Sequence, residues 1–113
     1  MDKLTHYKGI VKNIVTDILH LQDEGSNNMV VQPITDDTNG QYLLYNNTWQ
    51  KEKRQYGCFL HLEVSKNGRI WIHHDGTDLI IAQKLLDSGV PHEDIVLGFR
   101  APIVRPDTGF AVA

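Results

Sequence analysis

Two alternating apolar runs on either side of an Asn-Gly pair constrain this chain more than any other feature. Cys58, Leu60, Leu62 and Val64 alternate with Phe59, His61 and Glu63, and Ile70 and Ile72 follow beyond Asn67-Gly68. Successive strand side chains point to opposite faces, so the even-numbered residues before and after the turn must share a face if one core is to form. A two-residue Asn-Gly loop pairs even with odd positions and fails that requirement. A three-residue loop, Lys66-Asn67-Gly68 with Gly68 left-handed, sets Val64 against Ile70 and Leu62 against Ile72. The same register places His61 opposite His73, Phe59 opposite Asp75 and Glu63 opposite Trp71, all on the face away from Leu60 and Leu62.

Around this hairpin the remaining elements fall into place. Leu4, Tyr7, Ile10, Val11, Ile14, Val15, Ile18 and Leu21 recur at three- and four-residue steps, the stripe of an amphipathic helix that ends near Asp23-Glu24-Gly25-Ser26-Asn27-Asn28. Met29-Val30-Val31 opens an extended stretch in which Pro33 marks an edge strand or a bulge. Asp37-Thr38-Asn39-Gly40 reverses the chain into a strand from Gln41 to Trp49, and the charged connection Lys51-Glu52-Lys53-Arg54 leads to the strand from Tyr56 to Val64. After Asp75-Gly76, Thr77 is the expected N-cap and Asp78 a first-turn anion of a second helix. Its stripe is Leu79, Ala82, Leu85 and Leu86, and it stops at Ser88-Gly89. Pro91 starts a short helical turn, His92-Glu93-Asp94, before the buried strand Ile95-Val96-Leu97. The run Phe110-Ala111-Val112-Ala113 carries no charge and is expected to dock on its own domain or on a partner.

The chain has 113 residues, which accommodates one domain spanning 1–113 but not two independent cores. A formal net charge of −3 provides no global attraction to phosphate backbones, so direct nucleic-acid binding is disfavoured. No apolar run reaches the roughly 20 residues of a membrane span, and the beginning reads as helix rather than signal peptide; a cytoplasmic protein without membrane association is expected. The single cysteine, Cys58, excludes an internal disulfide and an all-cysteine metal cage.

Candidate chemistry is sparse. His61, His73 and Asp75 on one face can in principle bind a divalent metal or share a proton. A cross-strand histidine pair supplies only two of the three or four ligands a metal needs, so a packed or partner-facing pair is the preferred reading. His74, next to His73, must point the other way, toward the core near Leu60, with its ring satisfied by a local hydrogen bond. Cys58 and His61 lie on opposite faces and cannot form a nucleophile–base pair; Cys58 is expected to be a small buried hydrophobe. Lys51, Lys53, Arg54 and Gln55 between Trp49 and Tyr56 form a basic cluster with aromatic neighbours, the arrangement that grips phosphates and stacks bases, but Glu52 dilutes it and, with the rest of the chain acidic, a solvated strand connection is the preferred reading. No phosphate loop, dinucleotide fingerprint, nucleophile elbow, EF-hand or zinc-finger spacing is present, so neither a cofactor nor a catalytic residue is expected.

A further signal lies in the order of short motifs: Tyr42-Leu43-Leu44, Trp49, Tyr56-Gly57-Cys58, His61, Trp71-Ile72, Asp75-Gly76-Thr77, Ile81-Ala82, Gly89-Val90-Pro91, Asp94-Ile95-Val96-Leu97-Gly98-Phe99, Pro102, Arg105, Thr108 and Phe110-Ala111-Val112-Ala113. Together they resemble the XisI family, the fdxN element excision controlling factors of cyanobacteria, over nearly the whole chain. Asp78, where the family often has Glu, and Pro106-Asp107 in the terminal motif are the departures. The resemblance implies an accessory protein that acts with an XisH-like protein and governs when a serine-type recombinase excises a DNA element during heterocyst differentiation. It carries over no catalytic residue.

The expected fold is α+β: an N-terminal helix, an antiparallel sheet of about five strands from two hairpins, and a second helix packed on the same face. The expected function is regulatory protein–protein binding. Candidate binding residues are Trp49, His61, Trp71, His73, Arg105 and Phe110, with a core position the competing expectation for Trp71. The alternatives are a direct DNA-binding recombination factor using the Lys51–Arg54 cluster and a metal-dependent enzyme using His61, His73 and Asp75. Self-association through a sheet edge or the apolar C-terminal segment is a further expectation.

Overall fold

The computed structural model describes residues 2–25, 30–77 and 79–113. Helix α1 (Lys3–Gly25) precedes strands β1 (Val31–Asp36), β2 (Gln41–Gln50), β3 (Lys53–Val64) and β4 (Ile70–Asp75); helix α2 (Ile81–Asp87) then leads to β5 (Ile95–Leu97). Short 3-10 turns occupy His92–Asp94 and Pro102–Thr108. The expectations placed on Ser26, Asn27, Asn28, Met29 and Asp78 lie outside the described residues.

The strands form one sheet in sequence order, and the expected helix–sheet–helix architecture is present. β1 to β4 are antiparallel, whereas β5 pairs with β4 in parallel, through Ile70 and Ile95, Trp71 and Val96, and Ile72 and Leu97. The crossover through α2 brings the chain back to the starting end of β4, the connection that parallel neighbours require. The Lys51–Arg54 segment is not a separate connection. Lys51-Glu52 alone make the turn, and Lys53 already pairs with Gln50, so a third hairpin joins the two expected ones.

The amphipathic stripe of α1 buries Tyr7, Val11, Ile14, Val15 and Ile18, while Leu21 at its far end is exposed. Asp2 caps the helix, accepting a hydrogen bond from the Thr5 amide at 2.8 Å. The helix packs against Tyr42, Leu44, Leu60, Leu62, Val64, Ile70 and Ile72 of the sheet, with Ile81, Leu85 and Val90 closing the core from the α2 side. Each such side chain stabilises the fold by about 1.5–3 kcal/mol before conformational entropy is subtracted.

The three-residue turn after β3 forms as the parity argument requires. Val64 pairs with Ile70 and Leu62 with Ile72, Ser65 N donates to Arg69 O at 2.9 Å, and Gly68 is left-handed at φ +82°. At the other end of this turn a buried carboxylate ties the layers together. Asp94 accepts hydrogen bonds from the Tyr7 hydroxyl, from Lys3 Nζ at 2.9 Å and from Arg69 Nη1 at 3.2 Å. Burial works to raise its pKa, but the hydrogen bonds and positive charges outweigh burial and hold the carboxyl below its usual range. Tyr7 is pushed up to about 12 by burial and by the same carboxylate.

Two β-bulges correct the expected register. In β3 the alignment slips between the Leu44–Leu60 and Tyr45–Cys58 pairs, leaving Phe59 as the extra residue. Cys58 therefore shares the face of Tyr45 and is half-buried rather than a core residue, and Phe59 packs against the core in its place. In β4 the slip comes after the Leu62–Ile72 pair, so His61 aligns with His74, not His73, and Asp75 aligns with Leu60, not Phe59. His74 is exposed, not directed into the core. Thr77 does not cap α2, which begins at Ile81 after an uncapped Ile80. Thr77 instead donates its amide and hydroxyl to Asp75 Oδ1 at 3.0 and 2.6 Å, and Asp75 Oδ2 accepts from Ile81 N at 3.5 Å.

Candidate functional site: the open face of the sheet

Both helices join the core cluster from one side of the sheet, which leaves Leu43 and Tyr45 of β2, Cys58, His61 and Glu63 of β3, and Trp71 and His73 of β4 on an opposite face that neither α1 nor α2 covers. The strand partners Ile34–Leu43, Leu43–His61 and Glu63–Trp71 set the rows of this face. Most of its residues are half-buried. At the β4 margin the segment Pro102–Thr108 reaches over, and four of the expected binding residues come together there.

The Arg105 guanidinium lies 5.2 Å from the Trp71 ring centroid, Trp71 stacks on His73 at 5.5 Å and 15°, and the His73 ring is 4.7 Å from that of His61. The bulge has shifted the backbone alignment, yet the two rings still meet because His73 keeps the outward direction of Trp71. Each imidazole has its own polar partner: His73 Nε2 donates to Glu63 Oε1 at 2.7 Å and His61 Nε2 to Gln41 Oε1 at 2.7 Å. Burial, and next the neighbouring His73, lower the pKa of His61 and favour its neutral form. Arg105 is held in place by backbone carbonyls, donating through Nε to Arg100 O at 3.1 Å and through Nη1 to Val112 O at 3.4 Å.

Two residues that sequence reasoning left out of the site complete it. Glu63, placed opposite Trp71 by the hairpin register but not singled out, occupies the carboxylate role assigned to Asp75. Gly98 lets the chain after β5 lie against the stack, since a Cβ there would meet Trp71 Cε3 at 3.1 Å and His73 Nδ1 at 3.2 Å. The tight Gly98-Phe99 step after the last strand is the only sequence signal for it. A shallow depression of about 440 Å³ opens beside the stack, lined by Glu63, Ser65, Lys66, Asn67, Trp71 and His73.

The proposed triad of His61, His73 and Asp75 does not converge, because the bulge turns Asp75 toward α2. Among the described residues no group of three His, Cys, Asp or Glu side chains is placed to hold a metal ion. Chemically the cluster offers flat aromatic surface, a guanidinium and two imidazoles with fixed polar partners, and of these the tryptophan and arginine are side-chain types that concentrate energy in protein interfaces. Trp71 is half-buried on this face and not in the core. Phe110 lies elsewhere, against the core edge and the His92 ring at 5.1 Å, where Ala111 bridges to Val96. Trp49 is 60% exposed on the β2–β3 hairpin. Among the described residues no helix is long and apolar enough to cross a membrane.

Comparison with known proteins places this geometry in a lineage. Residues 1–112 match the family model described as XisI protein. The crystal structure of the fdxN element excision controlling factor XisI from Anabaena variabilis superposes with a TM-score of 0.86 at 37% identity, covering 99% of this chain and 100% of that one. A XisI-like protein from Anabaena variabilis gives 0.87 at 38% identity, with 97% and 99% covered. No curated protein matches the chain. With a family model spanning nearly every residue and relatives that share its whole fold, the chain belongs to the XisI family.

Proposed function

We propose that this chain is an accessory regulatory protein that controls site-specific excision of a DNA element by binding other proteins, with an XisH-like protein and a serine-type recombinase as its partners. The observation that carries the reading is the 37% identity, over the full length of both chains, to a factor whose name is excision controlling. The half-buried stack of Arg105, Trp71, His73 and His61 on the sheet face that α1 and α2 leave uncovered supports it, since a binding protein needs a patch of such side chains. A net charge of −3 favours acting on the recombinase over gripping the DNA itself.

The test is affinity capture with the tagged chain from a cyanobacterial lysate, with and without nuclease. Nuclease-resistant enrichment of an XisH-like protein, lost in Trp71→Ala/His73→Ala, is the expected result. Loss of all partners on nuclease treatment would favour direct DNA contact instead, and absence of any specific protein would contradict the reading.

A further inference from the structure

The β2–β3 hairpin runs on past its neighbours. The pairing of β1 ends at Val31–Asn46 and that of β4 at Leu60–Asp75, whereas β2 and β3 stay paired to Gln50–Lys53. Asn47 and Thr48 still hydrogen-bond to Val30, so the part that pairs with no further strand among the described residues is the arm from Trp49 to Tyr56. It carries Lys51, Lys53 and Arg54 against Glu52 alone, a net +2 on a chain of net −3, which leaves −5 on the remainder. Arg54 lies between two rings, 5.0 Å from the centroid of Trp49 and 4.9 Å from that of Tyr56, and these aromatics are 60% and 66% exposed. Tyr45 backs Tyr56 at 6.0 Å. The turn itself holds Lys51 at φ +55°, where a lysine costs about 1–2 kcal/mol relative to its ordinary backbone conformation and glycine costs little.

We infer that this arm is a second interaction surface, separate from the Trp71–His73 stack, and that its occupant is an acidic segment of a protein partner. Charge complementarity selects an anionic partner, because the arm is a positive projection on a negative body. Among anions, the side chains favour protein over nucleic acid. Trp, Tyr and Arg are the residues that dominate protein interfaces, and cation–π contact with Arg54 joins the two rings into one edge. Three cations neutralise few of the phosphates of a duplex, whose charges recur about every 1.7 Å. The arm and the stack do not depend on each other: failure of either surface leaves the other intact.

The test is fluorescence anisotropy at low salt with three labelled probes: a 16-residue peptide of repeating Asp-Glu-Leu-Glu, its Asn-Gln-Leu-Gln counterpart, and a 16-base-pair DNA duplex. The inference expects the acidic peptide to bind more tightly than the duplex and the neutral peptide not to bind. Affinity should fall at least about tenfold in Arg54→Glu and in Trp49→Ala/Tyr56→Ala, and stay unchanged in Trp71→Ala/His73→Ala. Lys51→Gly, which relaxes the turn and removes one charge, provides a variant whose folding is not at risk and should bind the acidic peptide several-fold more weakly. Tighter binding to the duplex, binding that ignores the arm variants, or no binding of the acidic peptide would each overturn the inference.

Discussion

Three positions show how single residues set this structure. Gly40 ends the first turn at φ +67°, and a Cβ there would lie 2.3 Å from Val64 O, the carbonyl of the residue whose amide binds Gly40 O at 2.8 Å. Gly68 has a similar φ of +82°, but the nearest atom to its absent Cβ is the end of the Lys3 side chain at 3.1 Å, which can move. Gly40→Ala is therefore expected to destabilise by about 2 kcal/mol or more and Gly68→Ala by about 1 kcal/mol, measured by urea unfolding. Asp94 makes a different prediction. Its carboxyl is held below the unfolded-state pKa, so its stabilising contribution is complete at neutral pH and is lost as pH falls through the folded-state value. Asp94→Asn should lower stability by about 2–4 kcal/mol at pH 7, with the gap from the native chain narrowing below the usual carboxylate pKa of about 3.9. A gap that stays constant from pH 7 to pH 3 would remove the carboxylate from the account.

Elements were legible where one pattern governed them and illegible where two competed. The stripe from Tyr7 to Ile18, Pro33 at the sheet edge and the parity of Val64 and Ile70 each fix an element or a register by one physical requirement, and the structure satisfies all three. The bulges escaped because strict alternation was extended across sites where it breaks. Both had a signal: Gly57, at φ +148° inside β3, lies two residues from the extra Phe59, and the polar run His73-His74-Asp75 interrupts the apolar alternation of Ile70 and Ile72. The parallel direction of β5 follows from counting: the α2 crossover between β4 and β5 is long enough to bring the chain back. At the site, the contacts of His61, Trp71 and His73 follow from strand parity, but the arrival of Arg105 depends on a 3-10 turn whose path no local pattern announces. At this scale, Gly98→Ala is expected to push Trp71 and His73 apart, read as a shift of the tryptophan emission maximum, and to cost about 1–3 kcal/mol as an overpacked contact. An unchanged spectrum in a folded variant would mean that Gly98 does not seat the stack.

At the scale of the whole molecule, one side of the sheet is closed by α1 and α2, and neither helix covers the other. Each margin of the sheet is handled differently. β1 carries Pro33, which lowers its capacity to pair with another strand, and β5 is bridged by Ala111, whose amide donates to Ile95 O at 2.8 Å. Removing residues 109–113 takes away that bridge, the Phe110 contact and the Val112 carbonyl that holds Arg105; the shortened chain should melt several degrees lower and self-associate at its exposed β5 edge, as seen by light scattering. Among the described residues, the face built around Trp71 and His73 is the one that neither helix covers. The most direct measurement is a calorimetric titration of the purified chain into a purified XisH-like protein, alongside Trp71→Ala/His73→Ala with its folding checked by thermal melting. The account predicts saturable binding by the native chain and at least about tenfold weaker binding by the folded variant. Equal affinity of the two, or no binding by the native chain, would contradict it.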